Sequence, residues 1–141
     1  MDRVTKLWAQ HRLAEGQVMD VWPGVLRFAY VENTGAAFGL LQGRQDLLAL
    51  ITGLVLAALL VWLILRGRTL PTLPQAALWL LLGGGVGNLL DRVLYGYVID
   101  FVEIRLFTFP VFNVADSVVC IAFALLAGWI LFGKEARGDG G

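Results

Sequence analysis

Residues 83–117 read GGGVGNLLDRVLYGYVIDFVEIRLFTFPVFNVADS. This stretch places charged and amide side chains at the ends of two apolar segments, on either side of a short piece that alternates like a strand. These polar side chains are Asn88, Asp91, Arg92, Asp100, Asn113 and Asp116. An ionisable group at the hydrocarbon boundary of a membrane costs on the order of a few kcal/mol, so it usually marks a function. The stretch therefore predicts a membrane-embedded fold and the place of its working residues.

The composition of the chain favours lipid as its solvent. Hydrophobic residues make up 58% of the 141 residues and charged residues 16%, with a mean hydropathy of +0.74. A soluble domain is nearer half apolar and a quarter charged. The 11 basic and 11 acidic residues give zero formal net charge, so we expect no nucleic-acid partner. With one cysteine, Cys120, and one histidine, His11, the chain predicts no metal site and no cofactor.

Three apolar segments are long enough to cross a hydrocarbon core of about 30 Å. Their predicted bounds are about 47–65, 70–90 and 111–132. The short connection between the first two carries Arg66 and Arg68, which predicts that it lies in the cytoplasm by the positive-inside rule. The connector between the second and third spans then lies on the external face. Residues 133–141 are predicted to be a cytoplasmic tail.

Residues 1–46 are predicted to form an interfacial helix and a small β-element outside the membrane. The polar N-terminal part carries Leu7, Trp8, His11 and Leu13, which could form a short amphipathic helix on a membrane surface, with His11 as one of its polar residues. After the turn signal Pro23-Gly24, the run VLRFAYVE alternates as a strand does. The predicted fold is therefore an all-α membrane protein with a small extramembrane β-element. Its three spans form an antiparallel transmembrane helix bundle within one domain, residues 1–141.

The second predicted span has a polar, glycine-rich face. Helical spacing puts Gly84, Asn88 and residues 91–92 on that face. Gly83 and Gly87 form a GxxxG pair, which predicts the close approach of a neighbouring helix. An acid–base pair at 91–92 fits a purely structural ion pair as well as a functional site.

Asp100 and Asp116 are the candidate working pair. Asp100 lies in an apolar, strand-like run, where a carboxylate needs a partner or a proton, and Asp116 opens the third span, where it could also serve only as a helix cap. Both belong near the external boundary, joined by fifteen residues. Two carboxylates at close range share a proton, so one can accept a proton from an attacking water while the other donates to an amide carbonyl. The pair predicts an aspartic peptidase.

Other classes of protein fit the same residues. Intramembrane carboxylates also relay protons or bind cations in non-enzymatic membrane proteins, and an inactive assembly factor could keep this fold. The run NTGAAF at 33–38 is equally ambiguous: it fits a tight turn before a helix, or a loop whose Asn33 reaches into a site.

Four ordered blocks resemble the signature of the bacterial lipoprotein signal peptidase family, signal peptidase II. They are NTGAAF at 33–38, GNLLDR at 87–92, GYVIDF at 96–101 and FNVADS at 112–117. The resemblance implies a multi-pass aspartic endopeptidase of the bacterial inner membrane, with its site near the periplasmic face. It also implies cleavage of lipid-modified prolipoproteins immediately before the diacylglyceryl cysteine, contact with membrane lipid, and inhibition by the cyclic peptide globomycin.

The resemblance also carries residue roles. By the family pattern Asp100 and Asp116 are the catalytic dyad. The residues implied to line or support the site are Asn33, Gly84, Asn88, Asp91, Arg92, Asn113 and Ala115. The family has four spans, the first ending in a motif like D-Q-x-T-K. Here that motif is residues 2–6, DRVTK, with Arg3 where glutamine is common, which implies that the first span is missing from this sequence.

Overall fold

The computed structural model describes residues 1–36 and 40–133. In this part of the chain it has four α-helices and three strands, with short 3-10 helices at Ala14–Gly16 and Gly67–Thr69. The helices are α1 (Asp2–Leu13), α2 (Gln45–Arg66), α3 (Thr72–Tyr95) and α4 (Val114–Phe132), and the strands are β1 (Val18–Trp22), β2 (Leu26–Asn33) and β3 (Val98–Ile104). The predicted tail lies outside the described residues except for Gly133. The predicted fold class, a helical membrane protein with a small β-element, is confirmed.

Within the described residues, α2, α3 and α4 are long and apolar enough to cross a membrane. Their outward faces are apolar and exposed: Leu54 on α2 is 64% exposed and Leu131 on α4 is 67% exposed. Such surfaces suit contact with lipid tails, because apolar side chains lose nothing by facing hydrocarbon. Between them, α3 contacts both α2 and α4 and so forms the middle of the bundle.

The two largest differences from the predicted span bounds occur where local caps set the ends of helices. α3 continues to Tyr95 and stops at Gly96, whose φ of 75° is left-handed and whose N–H donates to the Arg92 carbonyl. α4 begins at Val114 rather than 111, because Asn113 is its N-cap. The Asn113 side chain accepts from the backbone N–H of Asp116, and the Asp116 side chain accepts from the N–H of Asn113, which completes a capping box.

The predicted β-element is a three-stranded antiparallel sheet in the order β1-β2-β3. The turn at Pro23-Gly24 joins β1 to β2, as predicted, with Gly24 at φ 78°. Beyond β3 the chain turns back, and Phe112 pairs with Val102 through two backbone hydrogen bonds of 3.0 and 2.8 Å. This return brings the chain from the sheet directly to the cap of α4.

The first helix packs on the sheet and the bundle. Ala9 and Leu13 form a buried core with Phe101 of β3, and the Trp8 ring meets the rings of Phe28 and Phe101 edge to face, with centroids 5.5 and 6.2 Å apart. Trp8 and Leu13 of this helix therefore contact the sheet. The location of α1 at the membrane interface stays a prediction.

The close helix approach predicted for Gly83 occurs at Gly84. A methyl group at Gly84 would lie 2.8 Å from both the Ala115 carbonyl oxygen and Val119 Cγ2 on α4, whereas one at Gly83 would meet nothing within 4 Å in the described structure. The prediction for Gly83 is therefore wrong, because one helical step of about 100° turns it away from α4. At Gly87 a methyl group would lie 2.8 Å from the Asp2 carboxylate, so that glycine does allow a close approach.

Candidate active site

Asp100 and Asp116 line the same cavity, which has a volume of about 830 Å³. Asp100 projects from β3 and is 2% exposed, and Asp116 lies in the first turn of α4 and is half-buried. Asn33, Asn88 and Arg92 contribute polar groups to the same walls. The apolar part of the lining includes Phe109, Pro110, Val111, Val119 and Cys120. We refer to Asp100 and Asp116 together as the dyad.

A chain of side-chain amides connects the two carboxylates. Asn113 Nδ2 donates to Asp100 Oδ1 at 2.7 Å and to Asn88 Oδ1 at 3.0 Å. Asn88 Nδ2 in turn donates to Asp116 Oδ1 at 2.7 Å. Each carboxylate is thus held by an amide nitrogen, and the two amides are held by one another, so the dyad belongs to one hydrogen-bonded unit.

Asn113 is the centre of this unit because it also begins α4. It is fully buried, its Oδ1 accepts from the Asp116 N–H at 2.9 Å, and its own N–H donates to Asp116 Oδ2 at 3.1 Å. The two interpretations of Asp116 therefore combine: the same carboxylate closes the capping box and faces the cavity.

Asn33 also combines the two roles that its sequence left open. Its Oδ1 accepts from the Gly35 N–H at 2.9 Å, which makes a local turn after β2. Its Nδ2 donates to Asp100 Oδ2 at 2.9 Å, which places a third amide on the dyad. Ala37 and Phe38 of the NTGAAF run lie outside the described residues.

Burial controls the protonation of Asp100. Loss of hydration raises the pKa of Asp100 to about 6, and the nearby charge of Asp116 acts in the same direction. The hydrogen bonds from Asn33 and Asn113 and the positive charge of Lys6 act against this increase, because they favour the ionised form. Asp100 therefore retains a proton at a pH where an ordinary aspartate has lost it.

Asp91 and Arg92 do not pair with each other. Asp91 is 1% exposed and makes ion pairs with Lys6 at 2.8 Å and with Arg3 at 3.2 Å. Arg92 instead donates to the carbonyl oxygens of Gly35 at 3.2 Å and Asn88 at 3.4 Å. Neighbouring residues on a helix point in different directions, which explains why a structural pair within 91–92 does not form. Within the described chain, the buried Arg92 Nε has no hydrogen-bond partner.

Three residues of the DRVTK motif, Asp2, Arg3 and Lys6, lie behind the dyad, although none of them was among the predicted site residues. Lys6 is fully buried, and its Nζ lies 2.9 Å from both the Asp2 carboxylate and Asn88 Oδ1. Arg3 contacts Asp91 and the hydroxyl of Tyr95. The four-residue spacing of Asp2 and Lys6 was the available signal, since it puts both on one helix face. Their partners on α3 had no local signal.

The remaining predicted site residues support the helix contacts. Gly84 packs against the Ala115 carbonyl oxygen, and the Ala115 N–H donates to Asp2 Oδ1 at 3.0 Å. Both residues thus fix the start of α4 relative to its neighbours. Over residues 1–36 and 40–133, no group of three His, Cys, Asp or Glu side chains is arranged to hold a metal ion.

Comparison with known proteins agrees with this architecture. The family model described as signal peptidase (SPase) II matches residues 1–132. The chain belongs to the signal peptidase II family. This membership supports a multi-pass membrane protease that removes signal peptides, and the predicted resemblance is confirmed.

Individual members of the signal peptidase II family are similar over most of the chain. The lipoprotein signal peptidase of Nostoc punctiforme is 42% identical over 126 residues, which cover 89% of this chain and 79% of the relative. That of Gloeobacter violaceus is 44% identical over 126 residues, covering 89% and 72%. A bacterial membrane enzyme solved by the in meso method at 2.3 Å resolution is 32% identical, with a TM-score of 0.88, covering 99% of this chain and 86% of that one.

Proposed function

We propose that this protein is an aspartic endopeptidase that cleaves the signal peptide from diacylglyceryl-modified prolipoproteins, immediately before the lipidated cysteine. Family membership supports the substrate class, since the similar proteins are named lipoprotein signal peptidases. The observation that carries the aspartic mechanism is the placement of two carboxylates on one cavity, connected through Asn88 and Asn113.

The surroundings of the two carboxylates support different roles for them. Asp116 lies in the first turn of α4 and accepts two N–H groups, and the positive end of a helix dipole favours negative charge there. Asp116 is therefore the ionised member, which accepts a proton from the attacking water. Asp100, whose pKa burial raises to about 6, is the proton donor to the oxygen of the scissile carbonyl. When the tetrahedral intermediate collapses, Asp116 passes the proton from water to the leaving amine nitrogen and Asp100 regains its proton from a hydroxyl of the intermediate. Water is thus added across one amide bond, and both carboxyl groups end in their starting protonation states.

The cavity suits a peptide that carries lipid. Its volume of about 830 Å³ falls within the roughly 300–1,000 Å³ typical of ligand sites. Arg92 and the asparagines offer donors to a peptide backbone, and Val119 and Cys120 extend the apolar lining along α4. A lipid-modified cysteine would enter sideways from the bilayer, with its acyl chains against that apolar side. Globomycin, a cyclic peptide, is expected to occupy the same space.

The membrane side of the site follows from charge. The turn between α2 and α3 carries Arg66 and Arg68, which the positive-inside rule assigns to the cytoplasm. The dyad lies beyond the other end of α3, next to the start of α4. We therefore infer that the site lies at the external face of the bacterial inner membrane.

The test uses purified protein and two forms of one precursor, with and without diacylglycerol on the cysteine. We expect cleavage of the modified form only, with the lipidated cysteine as the new N-terminus by mass spectrometry. Asp100→Asn and Asp116→Asn are each expected to lower the cleavage rate at least about 100-fold. Asp20→Asn, at an exposed position on β1, is the matched control and is expected to cleave normally.

Unchanged cleavage by either dyad variant would overturn the aspartic mechanism. The alternative from another class, a proton or cation relay through the same carboxylates, predicts a different outcome. In that case the wild-type protein in vesicles would conduct ions and leave both precursors intact, and the dyad variants would lose conduction.

A further inference from the structure

Two carboxylates outside the dyad each hold the backbone amide that precedes one aspartate of the dyad. Asp91 Oδ2 accepts from the Ile99 N–H at 3.2 Å, next to Asp100 on β3. Asp2 Oδ1 accepts from the Ala115 N–H at 3.0 Å, next to Asp116 on α4. The backbone next to each dyad residue is thus hydrogen-bonded to a different carboxylate, the buried Asp91 or the partly buried Asp2.

One ammonium group joins these two acids. Lys6 Nζ lies 2.9 Å from Asp2 Oδ2 and 2.8 Å from Asp91 Oδ2, and the Lys6 side chain is fully buried. The same nitrogen donates to Asn88 Oδ1 at 2.9 Å. Because that oxygen is engaged, the amide nitrogen of Asn88 is turned towards the dyad. Lys6 therefore contacts Asp2, Asn88 and Asp91, the three side chains that connect α1 and α3 to the dyad and to the backbone next to it.

We propose that Lys6 is a positioning residue that sets the separation and orientation of the two dyad carboxylates. The proposal rests on the proposed peptidase function. β3 and α4 come from different parts of the chain, and here they are connected to each other through one nitrogen by way of Asp91 and Asp2. Sharing one water between two carboxylates demands accurate spacing, and a misplacement of about 1 Å can cost about 100-fold in rate.

The charges of Asp2, Arg3, Lys6 and Asp91 offer a way to separate an effect of Lys6 on the dyad geometry from its effect on the stability of the fold. Asp2 and Asp91 are compensated by Lys6 and Arg3. Replacing the Lys6 ammonium with an apolar chain of similar length leaves the buried Asp91 carboxylate and the partly buried Asp2 carboxylate near each other. This change weakens the fold as well as the geometry. A second substitution, Asp2→Asn, restores the balance. The asparagine keeps a side-chain oxygen that can accept from the Ala115 N–H, but it does not replace the ammonium group that joined residue 2 to Asp91.

The experiment measures kcat, KM and thermal stability for Lys6→Met, Lys6→Met/Asp2→Asn and the control Arg12→Met. Arg12 is an exposed cation on the same helix. We expect Lys6→Met to lower kcat about 100-fold with KM for the lipidated precursor within about twofold, because the cavity that binds it does not include Lys6. The double variant should recover melting temperature but not kcat. Arg12→Met should match the wild type in all three quantities.

Several results would overturn the proposal. They are an unchanged kcat in Lys6→Met, a rise in KM alone, or a double variant that regains kcat together with stability. The last of these would show that only charge balance mattered. If Lys6→Met does not fold, the double variant decides, and failure of both to fold would assign Lys6 a purely structural role.

This outcome is separable from failure of the proposed function. If wild-type protein does not cleave the lipidated precursor, or Asp100→Asn cleaves it normally, the peptidase mechanism fails first. The positioning role fails by itself when the wild type is active, the dyad variants are inactive and Lys6→Met is as fast as the wild type.

Discussion

Replacing Gly84 with alanine tests how closely the dyad depends on the contact between α3 and α4. The added methyl group would lie 2.8 Å from the Ala115 carbonyl oxygen and 2.8 Å from Val119 Cγ2. An ordinary contact begins at 3.4 Å, so the shortfall is 0.6 Å. Since one of the two atoms belongs to the backbone, side-chain rotation cannot relieve it, and the helices must separate.

Gly83→Ala is the matched control because it makes the same chemical change one position earlier. A methyl group there meets nothing within 4 Å in the described part of the chain. Both variants gain about 1 kcal/mol of helix propensity. Only Gly84→Ala adds overpacking, which costs about 1–3 kcal/mol. The difference in free energy of unfolding between the two variants is therefore the packing cost alone, about 1–3 kcal/mol with Gly84→Ala the less stable.

The same displacement reaches the dyad, because Ala115 directly precedes Asp116. With about 100-fold lost per ~1 Å of misplacement, a shift of about half an ångström predicts a kcat roughly tenfold lower for Gly84→Ala. Gly83→Ala is expected to keep the wild-type rate. Unfolding in detergent and cleavage of the lipidated precursor are measured on both proteins. Equal stability of the two variants, or full activity of Gly84→Ala, would refute the reasoning.

Two further predictions concern the proton and the amides of the dyad. Because burial raises the pKa of Asp100 to about 6, its protonated form persists up to that pH. Above pH 6, kcat/KM for cleavage of the lipidated precursor should fall about tenfold per pH unit. A value of kcat/KM that rises through pH 6 would instead make Asp100 the base. Asn113→Ala removes the N-cap of α4 and the amide donor to Asp100. We expect it to lower the free energy of unfolding by about 1–3 kcal/mol and kcat at least about tenfold, measured by chemical unfolding and precursor cleavage, and an equally stable, fully active variant would contradict this.

Features with a local physical cause could be predicted from the sequence. Apolar length predicted the three spans, and alternation after a Pro-Gly turn predicted strand β2, whereas β1 was not predicted as a strand. The helix ends needed cap chemistry as well: Asn113 three residues before Asp116, and Gly96 after Tyr95, are sequence signals for the start of α4 and the end of α3. The span bounds drawn from hydropathy alone therefore differ by five residues at the end of α3 and by three at the start of α4.

Contacts between distant parts of the chain could not be predicted in the same way. The GxxxG spacing identified a close helix approach, but the rotation of α3 decides that Gly84 and not Gly83 faces α4. The Asp91–Arg92 pair looked local, whereas Asp91 finds its cations 85 and 88 positions away, at Lys6 and Arg3. Charge alone does not identify a partner, because any buried acid would accept either cation.

The hydrogen bonds described to the carboxylate oxygens of the dyad come from amide groups, although Arg92 lines the same cavity. An opposite charge in direct contact with Asp100 would keep it ionised and remove the proton donor. Asn33 and Asn113 satisfy its oxygens without a charge, and Asn88 stands between Lys6 and Asp116. The Lys6 ammonium group can therefore contact Asn88 without contacting the dyad, and its effect on the pKa of Asp100 stays smaller than that of burial. A cation in direct contact with Asp100 would favour its ionised form and so deprive the reaction of its acid.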